Sequence, residues 1–300
     1  MTVPLVSIGM PVYNCAATVA EAIASILNQT LQDWELIVYD DGSRDATLRV
    51  ARGFSDPRIH ILEGVVNRGL AACLNETIVY SRGKFFARMD GDDISYPTRL
   101  QRQVAFLESH SEVEVVAGSA IVFRSNGQVL GVRRGPRTHE QICAHPCAGF
   151  PMVHPTWTGQ AEWFRRHLYR AGMMRMEDWE LLFRTHANSR FANLAEVILG
   201  YREDVLSLRK ILVGREHKCR VLLRSALEGR APMQAMRGIF GQCGRSIVDL
   251  VAIGSHLEYR VLKHRALPVS LEEVEIWLEV IRRTQARANQ QTKESEVTSI

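Results

Sequence analysis

The sequence contains no apolar run approaching the roughly 20 residues that a helix needs to cross a bilayer. The longest candidates, around Ile247 to Ile253, are far too short. The first residues, Met1-Thr2-Val3-Pro4, lack the basic start and apolar stretch of a secretory leader. Cysteines are few and scattered, at Cys15, Cys73, Cys143, Cys147, Cys219 and Cys243. That pattern reads as free thiols in a reducing compartment, so a cytoplasmic protein is expected. Cys143 and Cys147 stand one helical turn apart near His145 and His154, but no second pair has finger-like spacing, which argues against zinc. Excess charge is slight as well. A net +4 over 300 residues gives no reason to expect a nucleic-acid partner. Two phosphate-binding signatures are also missing. The first turn reads Pro11-Val12-Tyr13-Asn14-Cys15 where a dinucleotide fold needs Gly-x-Gly-x-x-Gly, and no P-loop occurs.

What is present is a regular alternation. With 46% hydrophobic and 23% charged residues, the chain suits one large or two modest globular domains. Leu5 to Met10 reads as a buried strand. Thr18-Val19-Ala20-Glu21 has the spacing of a capping box, and Ala22, Ile23, Ile26 and Leu27 form one helical face. Trp34 to Tyr39 is a second strand, ending on Asp40-Asp41-Gly42-Ser43, and Asp45 can cap a helix to about Phe54. Ile59 to Leu62 is a third strand. Asn67-Arg68-Gly69 then opens a helix from Leu70 to Tyr80, and Lys84 to Met89 is a fourth strand. Strand–helix units of about 30 residues predict an α/β protein with a parallel sheet and right-handed crossovers. Ligands in such sheets bind outside the carboxyl ends of the strands. Tyr13-Asn14, Asp40-Asp41, Asn67-Arg68 and Asp90 to Asp93 all follow strand ends, so they should converge on one crevice.

The stretch Arg88-Met89-Asp90-Gly91-Asp92-Asp93 carries the most chemistry. Three carboxylates this close raise one another's pKa. A divalent cation with oxygen preference, Mg2+ or Mn2+, removes the conflict and leaves open positions for phosphate. The competing reading is a polar turn, because Asp and Gly favour turns.

Pro11-Val12-Tyr13-Asn14, Ser25-Ile26-Leu27-Asn28-Gln29-Thr30, Glu35 to Ser43, Asn67-Arg68-Gly69-Leu70 and Asp90-Gly91-Asp92-Asp93 together resemble the family 2 glycosyltransferases. These are inverting enzymes of the GT-A fold that use nucleotide-sugar donors. The resemblance runs from about Val6 to Arg124 and resumes at Val153-His154-Pro155-Thr156 and at Met176 to Leu182. It implies a GT-A fold, a Rossmann-like, mostly parallel sheet flanked by helices. It places Pro11 and Tyr13 in the nucleotide-sugar pocket, with Tyr13 stacked on the base. Asp41 would accept the imide N–H of a uracil, and Arg68 would meet a phosphate or base carbonyl. Asp90 and Asp92 would serve metal and ribose, with Asp92 the direct ligand and Asp93 a third. His154 is read either as a phosphate or metal contact or as a hydrogen-bonded core residue. Asp178, in the acidic pair Glu177-Asp178, would be the general base; the rival reading is an ordinary acidic first turn of a helix. The implied reaction moves sugar from a nucleotide-sugar donor, a UDP-sugar by the Asp41 argument. The acceptor would be a saccharide or lipid-linked hydroxyl, as in surface polysaccharide synthesis. Two alternatives stand beside it. A nucleotidyltransferase needs a Gly-rich basic loop that is missing, and a non-catalytic nucleotide-sugar binding module should have lost Asp92 or Asp178.

The remaining chain is read as follows. Val113 to Gly118 and Ala120 to Arg124 are strands, and Val129 to Arg133 completes a hairpin after Asn126-Gly127. Trp157 to Gly172 mixes Trp157, Trp163, Phe164 and Tyr169 with Arg165, Arg166 and Arg170. It reads equally as an aromatic acceptor groove or as an amphipathic helix over the sheet. Phe191 to Leu194 and Val197 to Tyr201 are closing strands. The GT-A domain is placed at residues 1–205 and a helical region at 206–288, followed by a disordered polar tail at 289–300. One helix is read from Pro232 to Lys263, and another starts on a capping box of Ser270 and Glu273. The basic faces of these helices are either solvated or in peripheral contact with an anionic membrane surface.

Overall fold

Four strands of the N-terminal half pair in parallel because each is predominantly apolar and a helix between one and the next returns the chain over the sheet. They are β1 (Val6–Val12), β2 (Trp34–Asp40), β3 (Ile59–Glu63) and β4 (Phe85–Arg88). The connecting helices are α1 (Val19–Leu27), α2 (Thr47–Arg52) and α3 (Leu70–Tyr80). The structure, a computed structural model, describes residues 3–204, 208–228, 232–254 and 267–298. Beyond β4 come β5 (Ile94–Ser95), α4 (Arg99–Ser109), β6 (Val115–Phe123), β7 (Val129–Arg133), α5 (His139–Ile142), β8 (Thr158–Gln160), α6 (Ala161–Arg166), α7 (Glu177–Thr185) and β9 (Phe191–Arg202). The described strands form one nine-stranded sheet in the order β3-β2-β1-β4-β8-β6-β9-β5, with β7 on β6. β8 runs antiparallel to both β4 and β6, so the parallel half turns into a mixed half at that point. Side chains of α1 and α4 pack one face of the sheet, while α3, α6 and α7 pack the other.

Several local readings change in three dimensions. The expected capping box at Thr18 does not form. Thr18 Oγ1 donates to the Gly91 carbonyl at 3.0 Å, and Glu21 turns away to pair with Arg202 at 2.6 Å. Tertiary partners have displaced the local one. Gly118 and Ser119 do not split β6 into two strands. A Cβ at Gly118 would come within 2.4 Å of Ile198, so this glycine permits close packing and makes no turn. β9 likewise continues through Ala195 and Glu196, with the irregularity taken up as register shifts against β6. The stretch Trp157 to Gly172 is neither a groove nor one long helix. Trp157, Trp163, Phe164 and Tyr169 are all buried, and they fill the core beneath β8 and α6 because aromatic area is worth most where water is excluded.

The C-terminal helices are α8 (Leu208–Leu227), α9 (Pro232–Gly254) and α10 (Leu271–Thr298). The expected boundary at residues 205 and 206, and the reach of the second helix to Lys263, fall outside the described residues. The capping box at Ser270 does form: Ser270 N donates to Glu273 Oε2 at 3.0 Å, and Glu273 N donates to Ser270 Oγ at 3.2 Å. α10 continues to Thr298, into the stretch read as a disordered tail. It also returns to the sheet. Trp277 is fully buried against Phe123 and Tyr96, at ring distances of 4.6 and 6.0 Å, over a space left by Gly200.

Trp277→Ala should therefore destabilise the whole protein by about 3–5 kcal/mol, the usual cost of emptying a buried aromatic site. Urea denaturation followed by circular dichroism measures it. A loss under about 1 kcal/mol would mean that α10 is an appendage and not part of the core.

Candidate active site

The register of the parallel strands places the functional loops. Val12 pairs with Asp40, so Tyr13 and Asp41 leave the sheet side by side. The two loops are then tied together. Asn14 takes a left-handed conformation with φ 48°, which its short polar side chain tolerates, and its Oδ1 accepts from Arg44 N at 2.8 Å. Asp40 Oδ2 accepts from Ser43 N at 3.0 Å and braces the second loop. Asp41 N donates to the Val12 carbonyl, and its two carboxylate oxygens accept from Arg68 N at 2.7 Å and Gly69 N at 2.8 Å. Asp41 thus fixes the start of α3, where the backbone amides are otherwise unpaired. Tyr13 remains 44% exposed, with its ring free.

These loops open onto a cavity of about 730 Å³. Of the residues singled out in the sequence, Pro11, Tyr13, Asp41, Arg68, Asp90 and Asp92 line it. Asp93, Asp178 and His154 are not part of the lining, although Asp93 and Asp178 directly follow Asp92 and Glu177, which are. The side chain of Arg68 is turned to Glu76 at 2.8 Å, on the surface.

At the end of β4 the three carboxylates of Asp90, Asp92 and Asp93 offer oxygens that all lie within 4.8 Å of one another, the one such acid, His or Cys group among the described residues. The surrounding protein and then the charge on Asp90 push Asp92 up to about 6. Burial, followed by Asp92 and Asp90, raises Asp93 well above the usual carboxylate range. Asp93 Oδ1 accepts from Arg202 N at 2.9 Å, while its Oδ2 is buried without a hydrogen-bond partner. Crowded, oxygen-only donors with an orphaned carboxylate oxygen fit a hard divalent cation such as Mg2+ or Mn2+. Beneath them the Arg88 guanidinium, 2% exposed, pairs with Asp90 at 2.6 Å. Burial opposes its charge, yet Asp90 and the neighbouring acids hold its proton more tightly than usual.

His154 does not join this group. Its Nε2 lies 2.8 Å from the Tyr169 hydroxyl and its ring packs edge-on against Trp157. Burial and then Arg88 drive its pKa far below the ordinary value, so it is a neutral histidine in a hydrogen-bonded core site.

Glu177 and Asp178 open α7, as their acidic character and the helix dipole favour. Glu177 lines the cavity, whereas Asp178 is half-buried beside it. Burial and then Asp178 push Glu177 up to about 7, and burial raises Asp178. The same wall includes Gly172, Met173, Met174, Arg175 and His217, none of which stood out in the sequence. Only Gly172 left a signal, as a turn former; it has φ 81°, and Arg175 has φ 66°.

Likeness to known proteins bears on the family and the fold. The family model for Glycosyl transferase family 2 matches residues 7–192. EpsE of Bacillus subtilis (strain 168), a protein assigned to the glycosyltransferases, is 41% identical over 211 residues, covering 67% of this chain and 74% of EpsE. WfgD of Escherichia coli, a UDP-Glc:alpha-D-GlcNAc-diphosphoundecaprenol beta-1,3-glucosyltransferase, is 36% identical over 125 residues, 42% of this chain and 49% of WfgD. Among solved structures, residues 1–349 of S. aureus TarS in complex with UDP-GlcNAc superpose with a TM-score of 0.59 at 17% identity, covering 98% of this chain and 91% of that one. That last likeness establishes the GT-A fold.

Arg88 should be the most sensitive charge in this region. Arg88→Met leaves Asp90 and Asp93 without their buried counter-charge and should cost about 3–5 kcal/mol. Removing the exposed Arg282 of the Arg282–Glu279 pair should cost under about 1 kcal/mol. Urea melts of the two variants compare them directly, and equal losses would show that Arg88 is not needed to balance the acids.

Proposed function

Because the chain belongs to the family 2 glycosyl transferases and is a glycosyltransferase with a nucleotide-sugar donor, we propose that it transfers a sugar from a UDP-sugar to a saccharide or lipid-linked hydroxyl, with inversion and with a divalent cation. The observation that carries this reading is the meeting of Tyr13, Asp41, Asp90 and Asp92 in one cavity that Glu177 also lines. Tyr13 offers a free aromatic face for a base. Asp41 is held by two backbone amides, yet a carboxylate has about four lone-pair positions and keeps room for an imide N–H. Asp92 and Asp90, with Asp93 behind, would hold Mg2+ or Mn2+. Such an ion supplies neutralisation of the diphosphate and of charge appearing on the departing UDP. Asp178 takes the proton from the acceptor hydroxyl. WfgD is named for a diphosphoundecaprenol-linked acceptor, which supports a lipid-linked acceptor and a place in surface polysaccharide synthesis here. A peripheral membrane position is part of the proposal. α9 exposes Met233, Met236, Phe240, Ile247 and Val251 along one face. No described helix is long and apolar enough to cross a membrane.

The donor half is tested by calorimetry. Wild type should bind UDP in the presence of Mn2+, and much less in EDTA. Asp92→Ala should lose the metal-dependent part, and GDP should bind more weakly than UDP. Equal, metal-independent binding by both proteins would remove the cation from the site, while tighter GDP binding would overturn Asp41 as a uracil acceptor.

The base is tested by kinetics. Asp178→Asn should lower kcat by about 10²–10⁴-fold while leaving the donor KM nearly unchanged. Because burial raises Asp178, the wild-type rate should fall as pH drops through a range above that of an ordinary aspartate, and that limb should vanish in the variant. Glu177, not Asp178, lines the cavity. If Glu177→Gln shows the large kcat loss and Asp178→Asn does not, the base moves by one residue.

A further inference from the structure

A second cavity, of about 400 Å³, opens between the 144–148 loop and α9. Its lining includes three basic side chains, His145, Arg237 and Arg245, and no carboxylate. Arg237 and Arg245 are exposed and make no hydrogen bond or ion pair with any described residue. The arginines of α8 behave otherwise: Arg215, Arg220 and Arg224 are paired with Asp249, Glu216 and Glu228. Two glycines shape the cavity. A Cβ at Gly238 would stand 3.1 Å from that of Cys147, so α9 approaches the loop closely there, while Gly241 faces open space.

The floor of this cavity is fixed to the helix that carries the base. The Trp179 indole donates to the Pro146 carbonyl at 2.9 Å. Lys218 Nζ donates to the Ala148 carbonyl at 2.6 Å and stands 4.7 Å over the Trp179 ring. The ammonium of Lys218 interacts with Arg245 and with Asp178. Its neighbour His217 lines the donor cavity. The two cavities therefore adjoin at Glu177-Asp178 of α7 and His217-Lys218 of α8. Burial and then Arg245 push Lys218 down to about 8, against the opposing pull of Asp178.

We infer that the second cavity binds a phosphate group of the acceptor through Arg237, Arg245 and His145, beside the Asp178 end of the donor cavity. The inference rests on the sugar-transfer reading above. Guanidinium forks match phosphate oxygens in pairs, and the absence of a carboxylate leaves these forks free for an outside anion. A phosphate held here would anchor an acceptor whose hydroxyl reaches the base, without competing for the site that takes the donor diphosphate.

Inorganic pyrophosphate is the probe. Calorimetric titrations in EDTA, which suppresses metal-dependent binding in the donor cavity, compare wild type, Arg237→Gln/Arg245→Gln and a charge-matched control, Arg282→Gln/Arg283→Gln. Both substituted pairs are exposed, and melting curves check folding. Wild type and control should bind pyrophosphate, and the cavity variant should bind at least about tenfold more weakly. UDP binding in Mn2+ should stay within about twofold in all three. No pyrophosphate binding by wild type, or equal binding by wild type and cavity variant, overturns the inference. Absent UDP binding by wild type would instead sink the donor reading. A sedimentation assay with phosphatidylcholine vesicles, with and without phosphatidylglycerol, separates the two sources of phosphate. The cavity variant should keep its vesicle binding. Loss of vesicle binding with pyrophosphate binding unchanged would assign the arginines to a lipid surface and overturn the acceptor site.

Discussion

Everything around the active site depends on balancing the charge at the end of β4. Three carboxylates with oxygens within 4.8 Å of one another, Asp93 buried beneath the more open Asp90 and Asp92, cannot all stay ionised without counter-charge. The chain supplies it from three elements. Arg88 on β4 pairs with Asp90 from below. Arg99, at the start of α4, is fully buried and donates to the Arg88 carbonyl at 2.6 Å. Arg202, at the end of β9, donates to the Asp92 carbonyl at 2.7 Å through its side chain and to Asp93 through its backbone. A buried arginine is costly unless paired, and a buried aspartate likewise. Each is tolerable only because the other is present, so the acids specify where β4, α4 and β9 must meet. The same requirement explains why Glu21 abandons its local cap. It completes the partner set of Arg202, and a buried guanidinium gains more from a carboxylate than a helix start does.

How much of this was legible in the sequence depends on whether the signal is local. The parallel strands were legible because a strand buried on both faces reads as a near-continuous apolar run, as in Ile8 to Val12 and Leu36 to Tyr39. The convergence of Tyr13, Asp41 and Asp92 followed from the rule that places ligands at strand carboxyl ends. Roles that hang on long-range partners were not legible. Nothing in Thr18-Val19-Ala20-Glu21 announces Gly91 or Arg202, separated from it by most of the domain. The aromatic stretch from Trp157 to Tyr169 has the composition of a sugar groove and the burial of a core, and composition alone does not distinguish them. Trp277 gave no hint that α10 returns to Gly200, because the sequence near Gly200 says only that a side chain is missing.

The two halves of the cavity are built on different physical footings. The donor half rests on strand ends, where loops are cross-tied by Asn14, Asp40 and Asp41 through backbone hydrogen bonds. Such a frame would suit the base, ribose and diphosphate of the proposed donor, a ligand whose chemistry does not vary. The facing wall comes from residues 171–175, the start of α7, and one turn of α8. There the backbone passes through two left-handed residues, Gly172 and Arg175, and Met174 is exposed. Flexible thioether side chains on a turn-rich segment adapt to shape better than they define it. The rigid exception on this side is the anchor that joins Trp179, Pro146, Ala148 and Lys218 immediately after the acidic pair. A general base, the role proposed for Asp178, must meet its acceptor hydroxyl within hydrogen-bond reach, so it needs fixed support even where the surrounding wall is adaptable. The placement of that anchor, one residue beyond Asp178, ties the first turn of α7 to the 146–148 loop and to α8, so the acidic pair has fixed support beside a wall whose backbone turns twice through the left-handed region.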